Sequence, residues 1–388
     1  MSPLDTMHPC TVSDWDDQRR KARLRETRLW RRGPRLRRTG TVLVRGAAAL
    51  LILLTLLVQY RVYDVAPERA RLALTAPALL PVAPPADGRD WDTAVVDLVG
   101  LGGLDATDTA AALPALRDFG VVWAIRYDNR GIDSKVIADL IVRAAQMSGV
   151  RNVVLLGHSM GGVIALEVGE HIHRDSDRRL AAVVLDCTPV DLNAVRPESR
   201  GRGEDMLRWM GWLPGARESR TLRMVVETYA RRERFVDVAA DPIPGIRLDA
   251  LREVLAEVAT EKVFSQNTAS NGLIESQFRA IVGGGAVDNL RALAKPADGK
   301  PRPAIVFVRP RYADSDRVVD VEYSHRVLIE QVGGMDGSLL VAMPRGTGHA
   351  DPGQAPERYN ALVQRQVVPF VERYLDQGRD TGTSAAPP

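Results

Sequence analysis

The sequence contains very little cysteine. Only Cys10 and Cys187 occur among the 388 residues, and they lie on opposite sides of a long apolar run, so we expect no disulfide between them. Neither cysteine belongs to a spacing that is typical of metal sites. A domain of roughly 250–300 residues buries about three quarters of its unfolded surface and needs no such support to fold. We therefore expect that the fold needs neither a metal ion nor a disulfide for its stability.

The main part of the chain also lacks an excess of positive charge. Residues 1–45 carry 12 Lys and Arg against 5 Asp and Glu, whereas the remaining residues carry 40 against 44. The formal net charge of +3 therefore comes from the N-terminal segment. Because domains that bind nucleic acid concentrate Lys and Arg on their own surface, this distribution argues against a nucleic-acid partner.

One apolar run lies near the N-terminus. Residues 46–58 read GAAALLILLTLLV, and together with residues 41–44 they are interrupted only by Arg45. The run approaches the ~20 residues that span a bilayer, and an arginine near its end can reach the headgroups. We predict a transmembrane signal-anchor helix over residues 41–60 in the cell membrane. A cleaved signal peptide and a buried helix of a soluble protein are the alternatives.

Composition predicts how the remaining chain is organised. The Arg-rich residues 1–40 are expected to be a cytoplasmic tail, which places the C-terminal bulk outside the cytoplasm. Residues 61–90 contain five prolines and are expected to be a linker. A folded domain is predicted over residues 91–375. Residues 376–388, rich in Gly, Thr, Ala and Pro, are expected to be a disordered tail.

Short apolar runs rich in β-branched residues alternate with helical stretches in this domain. The runs cover residues 93–99, 121–127, 152–156, 181–186, 304–308 and 338–343. Their continuous hydrophobicity predicts strands that are covered on both faces. Strand–helix alternation predicts an α/β fold with a mostly parallel sheet flanked by helices. Residues 191–300 contain no comparable strand, so we predict a helical cap over the carboxyl ends of the strands.

The central motif is Gly-His-Ser-Met-Gly-Gly at residues 157–162, directly after one predicted strand and at the start of a helix. A nucleophile at such a turn is held in a strained backbone conformation, and Gly157 and Gly161 let neighbouring backbone approach closely. The N-terminus of the following helix favours a developing oxyanion. Ser159 is therefore the candidate nucleophile. The alternative is a Gly-rich helix start in which Ser159 is only the N-cap.

A serine hydroxyl needs a general base, and the chain has six histidines. His349 follows the last predicted strand in a Gly-rich loop, where this architecture places catalytic groups. The other five lie in the N-terminal tail, inside the serine motif or in predicted helices: His8, His158, His171, His173 and His325. His349 is therefore the candidate base.

A carboxylate should orient this histidine and stabilise its protonated form. Asp314 and Asp316 compete in the segment after the strand over residues 304–308. We prefer Asp316, because Asp-x-Val-Val marks the entry into the next helix, and we retain Asp314 as the alternative acid. Asp186, at the end of the preceding strand, is a third candidate. The order serine, aspartate, histidine matches the order of nucleophile, acid and base in hydrolases of this architecture.

With these motifs the sequence resembles the α/β-hydrolase family over roughly residues 90–375, specifically its lid-bearing serine esterase and lipase-like members. The Gly-His-Ser-Met-Gly-Gly motif is highly typical of that family. The resemblance implies that the N–H groups of Met160 and Leu101 form the oxyanion hole. Val99 stands where the family has a histidine, and Asp133 and Lys135 replace a Gly and a Ser of a second family segment, so the substrate pocket is expected to differ.

These observations predict a serine hydrolase that cleaves an ester or thioester with an apolar acyl part through an acyl-enzyme. This mechanism calls for no metal ion and no organic cofactor. The substrate would be a small molecule or lipid-like. An acyltransferase or a cofactor-free haloperoxidase-like or perhydrolase activity would use the same triad. From another class, a catalytically silent binding module would keep the same residues.

Overall fold

The computed structural model describes residues 8–380 apart from residues 90, 238–244, 266–267 and 335–336. The chain divides into two compact units, Met1–Tyr63 and Asp64–Pro388. The expected tail over residues 376–388 lies outside the described residues from residue 381 onward, and the last helix continues to Asp380.

Short, mostly apolar segments form the strands. These are β1 (Ala78–Ala83), β2 (Thr93–Leu98), β3 (Val121–Arg126), β4 (Asn152–His158), β5 (Arg179–Asp186), β6 (Val236–Asp237), β7 (Gly245–Ile246), β8 (Ala304–Val308) and β9 (Leu339–Ala342).

The α-helices lie between the strands and at both ends of the chain. They are α1 (His8–Gln59), α2 (Ala66–Leu72), α3 (Thr107–Ala111), α4 (Ser134–Met147), α5 (Met160–Asp175), α6 (Pro197–Trp212), α7 (Arg220–Ala230), α8 (Leu248–Glu257), α9 (Asn271–Val282), α10 (Ala286–Leu293), α11 (Val321–Val332), α12 (Pro356–Leu362) and α13 (Val368–Asp380). Single π-helical and 3₁₀ turns extend or connect several of them.

Seven strands form one sheet in the order β1-β3-β2-β4-β5-β8-β9, and only β1 runs antiparallel to its neighbour. The strands β2 and β4 are buried along their whole length. Successive side chains point to opposite faces, so Val95 and Val96 belong to the two separate cores above and below the sheet. The predicted α/β fold with a mostly parallel, helix-flanked sheet is confirmed.

The order of the strands reverses next to β2, since β3 follows on one side of it and β4 on the other. Ligands bind at such a switch point in open α/β sheets, outside the carboxyl ends of the strands. These two ends are level, because Leu98 pairs with Gly157. The loops after β2 and β4 therefore open at one place.

The structure corrects the linker expected over residues 61–90. Helix α2 and strand β1 lie in this range, and β1 pairs with β3 from Ala78 to Ala83. Proline cannot donate to a sheet ladder, but an edge strand has one side without a partner strand. Pro81 lies in this edge strand, so a Pro-rich composition did not exclude a strand.

The structure also shortens the cap expected over residues 191–300. Helix α8 and strand β6, which pairs with β7, contribute to a small core of their own around Phe235, Val254 and Val258. Side chains of α9 and α10, such as Phe278 and Leu290, instead belong to the main core on one face of the sheet. The separate cap layer therefore ends before α9, because the apolar faces of the last two helices pack on the sheet layer.

The described part of the first unit consists of the long helix α1 and the first residues of the turn that follows it. Among the described residues, one helical stretch, Thr41–Leu72, is long and apolar enough to cross a membrane. Its most apolar window has a mean hydropathy of 2.4, and none of that window is buried.

Candidate active site

Ser159 lies at the sharp turn between β4 and α5. Its φ of 52° and ψ of −120° are a conformation that residues with a side chain rarely adopt. The turn is held by two hydrogen bonds, from the Ser159 N–H to the Asp186 carbonyl at 2.7 Å and from the Gly162 N–H to the Ser159 carbonyl at 3.0 Å. The Ser159 side chain makes no capping hydrogen bond to α5, which is contrary to the N-cap alternative.

The glycines around this turn are required by close backbone packing. A Cβ atom at Gly157 would lie 2.4 Å from the Gly161 carbonyl oxygen, and one at Gly161 would lie 2.3 Å from the Leu98 carbonyl oxygen. At Gly162 it would lie 1.9 Å from the hydroxyl oxygen of Thr188. A side chain at Gly161 would push the turn away from the end of β2, and one at Gly157 or Gly162 would distort the turn or displace Thr188. The glycines therefore keep Ser159 at the switch point.

Three side chains from the ends of three strands form a continuous chain of hydrogen bonds. The Ser159 hydroxyl lies 2.8 Å from Nε2 of His349, and Nδ1 of His349 lies 2.8 Å from Oδ2 of Asp316. A carboxylate only accepts hydrogen bonds, so Nδ1 carries the proton and Nε2 accepts from the serine. Asp316 is fully buried, whereas the His349 side chain is 22% exposed and the serine is partly exposed.

Asp316 is held in its ionised form by its surroundings. Burial alone raises the pKa of this carboxyl, but the hydrogen bond and charge of His349 and the amides of Val319 and Val318 outweigh burial and lower the pKa below its usual range. Its second oxygen accepts from the Val318 N–H at 2.9 Å and from the Val319 N–H at 2.8 Å. The Asp-x-Val-Val pattern thus supplies both the acid and the amides that fix it.

The other two candidate acids do not contact His349. Asp314 lies exposed on a 3₁₀ turn, Ala313–Ser315, two residues before the buried Asp316. The side chain of Asp186 points instead to His158, with Oδ2 2.8 Å from Nδ1 of that histidine. The geometry therefore brings only Asp316 to His349.

His158, directly before the serine, belongs to a second and fully buried charge cluster. Its Nδ1 lies 2.8 Å from Asp186 and its Nε2 lies 3.2 Å from Asp97. Burial opposes the charged imidazolium, but the charges of Asp97 and Asp186 and the hydrogen bond to Asp186 outweigh burial and raise the pKa of His158 to about 10. The hydroxyls of Thr109 and Tyr359 donate to the outer oxygens of the two carboxylates. This pKa favours the charged form of His158 at neutral pH.

Two backbone amides beside Ser159 donate no hydrogen bond to any described residue, those of Leu101 and Met160. Met160 is the first residue of α5, where helix amides have no partner within the helix. The loop that carries Leu101 is close to the serine, since a Cβ atom at Gly100 would lie 3.4 Å from Cβ of Ser159. The arrangement leaves two free donors near the hydroxyl.

Two side chains that no motif indicated fix the loops of the site. Gln277 on α9 is fully buried, accepts from the Gly102 N–H at 2.9 Å and donates to the Gly103 carbonyl at 2.8 Å. Arg196 donates to the backbone carbonyls of Asp316 and Ala313, at 2.7 and 3.0 Å. The sequence around Gln277 and Arg196 contains no pattern that predicts these contacts. The role of Asp97 could have been predicted, because an aspartate inside a continuous apolar strand needs a buried partner.

A third side chain that could act as a metal ligand, Cys187, lies beside the histidine–aspartate pair. Ligand atoms of Cys187, Asp316 and His349 lie within 4.8 Å of one another. Burial raises the pKa of the Cys187 thiol well above its usual range, and the charges of Asp186 and Asp316 add to this. Since metal ions bind the thiolate, and His349 and Asp316 are bonded directly to each other, these groups fit a hydrogen-bonded network rather than a set of metal ligands.

The model of the alpha/beta hydrolase family matches residues 77–362 of the chain. The match covers more than half of the chain and includes the parallel sheet and the serine turn. The chain is therefore a member of the alpha/beta hydrolase family. No curated protein matches the chain.

Several solved structures are similar to the chain. A non-heme bromoperoxidase, BpoC, from Mycobacterium tuberculosis shares 15% identity at a TM-score of 0.45, with 76% of this chain and 96% of that chain covered. A monoacylglycerol lipase from Paleococcus ferrophilus shares 14% identity at a TM-score of 0.43, with 77% of this chain and 99% of that chain covered. A membrane phospholipase A, described as a bacterial virulence factor, shares 18% identity at a TM-score of 0.43, with 88% of this chain and 97% of that chain covered. At these values the similarities add nothing to the family assignment.

Proposed function

We propose that this alpha/beta hydrolase is a serine hydrolase that cleaves an ester or thioester with an apolar acyl part. Ser159 is the nucleophile, His349 the general base and Asp316 the acid that orients it. The observation that carries the proposal is the hydrogen-bond chain from Ser159 Oγ through His349 to Asp316, with both links at 2.8 Å. The left-handed backbone of Ser159 supports it, because strain of this kind occurs at functional sites.

In the proposed first step, Ser159 Oγ attacks the carbonyl carbon while its proton moves to Nε2 of His349. The new C–O bond pushes the carbonyl electron pair onto oxygen, and the N–H groups of Met160 and Leu101 bind this oxyanion. Asp316 stabilises the imidazolium without taking its proton. Collapse breaks the bond to the alcohol or thiol, which leaves with the proton from His349.

In the second step, His349 takes a proton from water, and the hydroxide equivalent attacks the acyl-enzyme. The carboxylic acid is released and Ser159 regains its proton. The same residues serve in both steps, because His349 has returned its proton by the end of the first step and can accept another in the second. An alcohol in place of water would turn hydrolysis into acyl transfer.

Exposed apolar side chains of the cap support an apolar acyl part. On α7, Val225, Val226 and Tyr229 are exposed, and Trp209 and Trp212 on α6 are 57% and 78% exposed. Exposed large apolar side chains in one layer are typical of surfaces that bind apolar partners. A substrate panel of short-chain and long-chain esters, thioesters and matching amides tests this point. Cleavage of the amides alone would contradict the proposed specificity.

We propose a membrane location, because the helical stretch Thr41–Leu72 is long and apolar enough to cross a bilayer. Residues 41–60 would be a signal anchor, with the N-terminal tail in the cytoplasm and the hydrolase domain outside. Carbonate extraction of membranes that contain the full-length protein should leave it in the membrane fraction. Release into the supernatant, or an N-terminus that begins after residue 60, would contradict the anchor.

The catalytic proposal is tested with a fluorophosphonate, which labels activated serines covalently. The full-length protein in detergent should gain one adduct by intact mass, and Ser159→Ala and His349→Ala should gain none. Ser148 is exposed at the C-terminal end of α4. Ser148→Ala is therefore the matched control and should label like the wild type. A folded wild-type protein that takes no label would favour the silent binding module.

A further inference from the structure

A basic pocket is lined by none of the three catalytic side chains, Ser159, His349 and Asp316. Its walls are helix α2, the start of α7, and residues 262–265 and 268–271. The cavity has a volume of about 140 Å³. One water molecule needs only about 10–15 Å³ on this measure, so the pocket has room for a small ligand group.

The pocket carries a surplus of positive charge. Two acidic residues line it, Glu68 and Glu218, against five basic residues: Arg71, Arg217, Arg220, Arg223 and Lys262. The lining groups sum to +3, and Glu275 and Glu227, which pair with Arg217 and Arg223 from outside the lining, reduce this surplus to +1. Like charges at close range repel each other, so a positive surplus in a concave site favours a bound anion.

Carboxylates hold the arginines of the pocket in place. The buried Glu68 pairs with both Arg71, at 2.6 Å, and Arg220, at 2.8 Å, so one negative charge faces two guanidinium groups. Outside the pocket lining, Glu275 pairs with Arg217 at 3.0 Å and Glu227 with Arg223 at 2.8 Å. Fixed guanidinium groups lose little entropy on binding, and their planar donors match the geometry of phosphate.

Lys262 completes the set with a free charge. Within the part of the chain that the structure describes, its ammonium group has no ion-pair or hydrogen-bond partner, although the residue is half-buried. A half-buried ammonium without a counter-charge is unfavourable, and an anion in the pocket would remove this cost. Lys262 is therefore the residue of the pocket that a ligand changes most.

The backbone amides at the start of α7 are already occupied. Asp64 accepts from the Arg220 N–H at 3.0 Å, and the Ser219 hydroxyl accepts from the Leu222 N–H at 2.9 Å. A ligand in the pocket would therefore contact side chains rather than the helix N-terminus. The mouth includes Phe264, which is 62% exposed and has the Arg220 guanidinium 5.7 Å from its ring centroid.

We propose that this pocket binds a phosphate group, carried by a glycerophospholipid headgroup or free in solution. Helix α2, one wall of the pocket, begins eight residues after the apolar run ends at Val58. This proximity along the chain and the exposed apolar ring of Phe264 favour the lipid as the source. The inference is independent of the proposed hydrolysis, because it uses none of the catalytic side chains.

The test is calorimetric titration of the full-length protein in detergent, with Ser159→Ala as the background so that no ligand is hydrolysed. The ligands are dihexanoyl-phosphatidylglycerol, the phosphate-free dihexanoylglycerol and inorganic phosphate. We expect the phosphate-bearing lipid to bind at least tenfold more tightly than its phosphate-free counterpart. Equal affinity of inorganic phosphate would assign free phosphate as the ligand, and much weaker binding of it would assign the lipid.

Lys262→Gln should weaken binding of the phosphate-bearing ligand about tenfold, the loss expected from one charge-assisted hydrogen bond. It breaks no hydrogen bond or ion pair with the residues that the structure describes, so the variant should fold normally. The matched control is Lys135→Gln on α4, which removes an exposed lysine that pairs with Asp139 and should not change the affinity. Equal binding of both lipids, or a Lys262→Gln affinity equal to that of the control, would overturn the proposal.

Discussion

Two histidines border the Ser159 turn, and their surroundings assign them opposite roles. His158 is buried between Asp97 and Asp186, and these carboxylates raise its pKa to about 10. His349 faces one carboxylate, is partly exposed, and has its second nitrogen on the serine hydroxyl. Both ring nitrogens of His158 face carboxylates and neither faces the serine hydroxyl, so we infer that His158 fixes the turn. The number of carboxylates and the degree of burial therefore distinguish a structural histidine from a candidate base.

The strongest test of this comparison removes the carboxylate of the proposed base. In Asp316→Asn the amide no longer favours the tautomer with a proton on Nδ1, so Nε2 is less able to accept from Ser159. We expect kcat for an activated ester to fall by about 10⁴-fold, the size seen when the acid of a triad is replaced in this way. Stopped-flow or steady-state kinetics measure the change.

The matched control is Asp314→Asn, since this residue is exposed on the turn two positions earlier. Its kcat should stay within about twofold of the wild type, as for surface substitutions away from such networks. A large loss in Asp314→Asn together with a small loss in Asp316→Asn would reverse the choice between the two acids.

The second test removes the cation of the buried cluster. His158→Gln leaves Asp97 and Asp186 buried without their counter-charge, which costs about 3–5 kcal/mol in comparable cases. We expect the free energy of unfolding to fall by this amount, as measured by denaturant titration. The side chain does not contact the substrate-facing hydroxyl, so the fraction that remains folded should still take the fluorophosphonate label. Loss of labelling in a stable, folded His158→Gln protein would show that the cluster acts in the chemistry itself.

The pH dependence of stability sharpens the same contrast. The pKa of His158 is about 10 in the folded protein and near 6.5 in an unfolded chain. The folded state therefore holds one more proton between these values, and stability is complete below about pH 6.5 and falls as the pH rises towards about 10. One such group contributes a slope of up to about 1.4 kcal/mol per pH unit.

Unfolding curves between pH 7 and pH 9 should show this slope in the wild type and a smaller one in His158→Gln. The buried thiol of Cys187 also lowers the stability of the fold at high pH, because burial raises its pKa. This effect begins only near pH 9, where the thiol titrates in the unfolded chain. Identical slopes in the two proteins would mean that His158 is neutral in the fold.

Much of this arrangement could be predicted from sequence because the strands are locally encoded. Continuous apolar runs predict buried strands, and the motifs at the ends of three of them predict Ser159, Asp316 and His349 as neighbours. The structure brings these three side chains within hydrogen-bonding distance. The resemblance to α/β-hydrolases was confirmed by the family match over residues 77–362.

What could not be predicted depends on contacts between distant residues. Gln277 holds a loop 174 and 175 residues away in sequence, and no local pattern encodes that contact. Strand β1 was missed because Pro81 is allowed only by its position at the sheet edge. The boundary of the cap was misplaced because the apolar faces of α9 and α10 do not indicate which layer covers them.

The smallest expected effect tests whether the two histidine sites are connected. Cys187 directly follows Asp186, has a left-handed φ of 47°, and its thiol lies 3.7 Å from the Gly348 carbonyl, next to His349. In Cys187→Ala this weak contact and one buried sulfur are lost, so we expect about 1 kcal/mol less stability and a kcat within about threefold of the wild type. Denaturant titration and steady-state kinetics measure the two quantities separately. A much larger loss of kcat at unchanged stability would mean that the buried cluster positions His349 through Cys187, and that the two sites act as one unit.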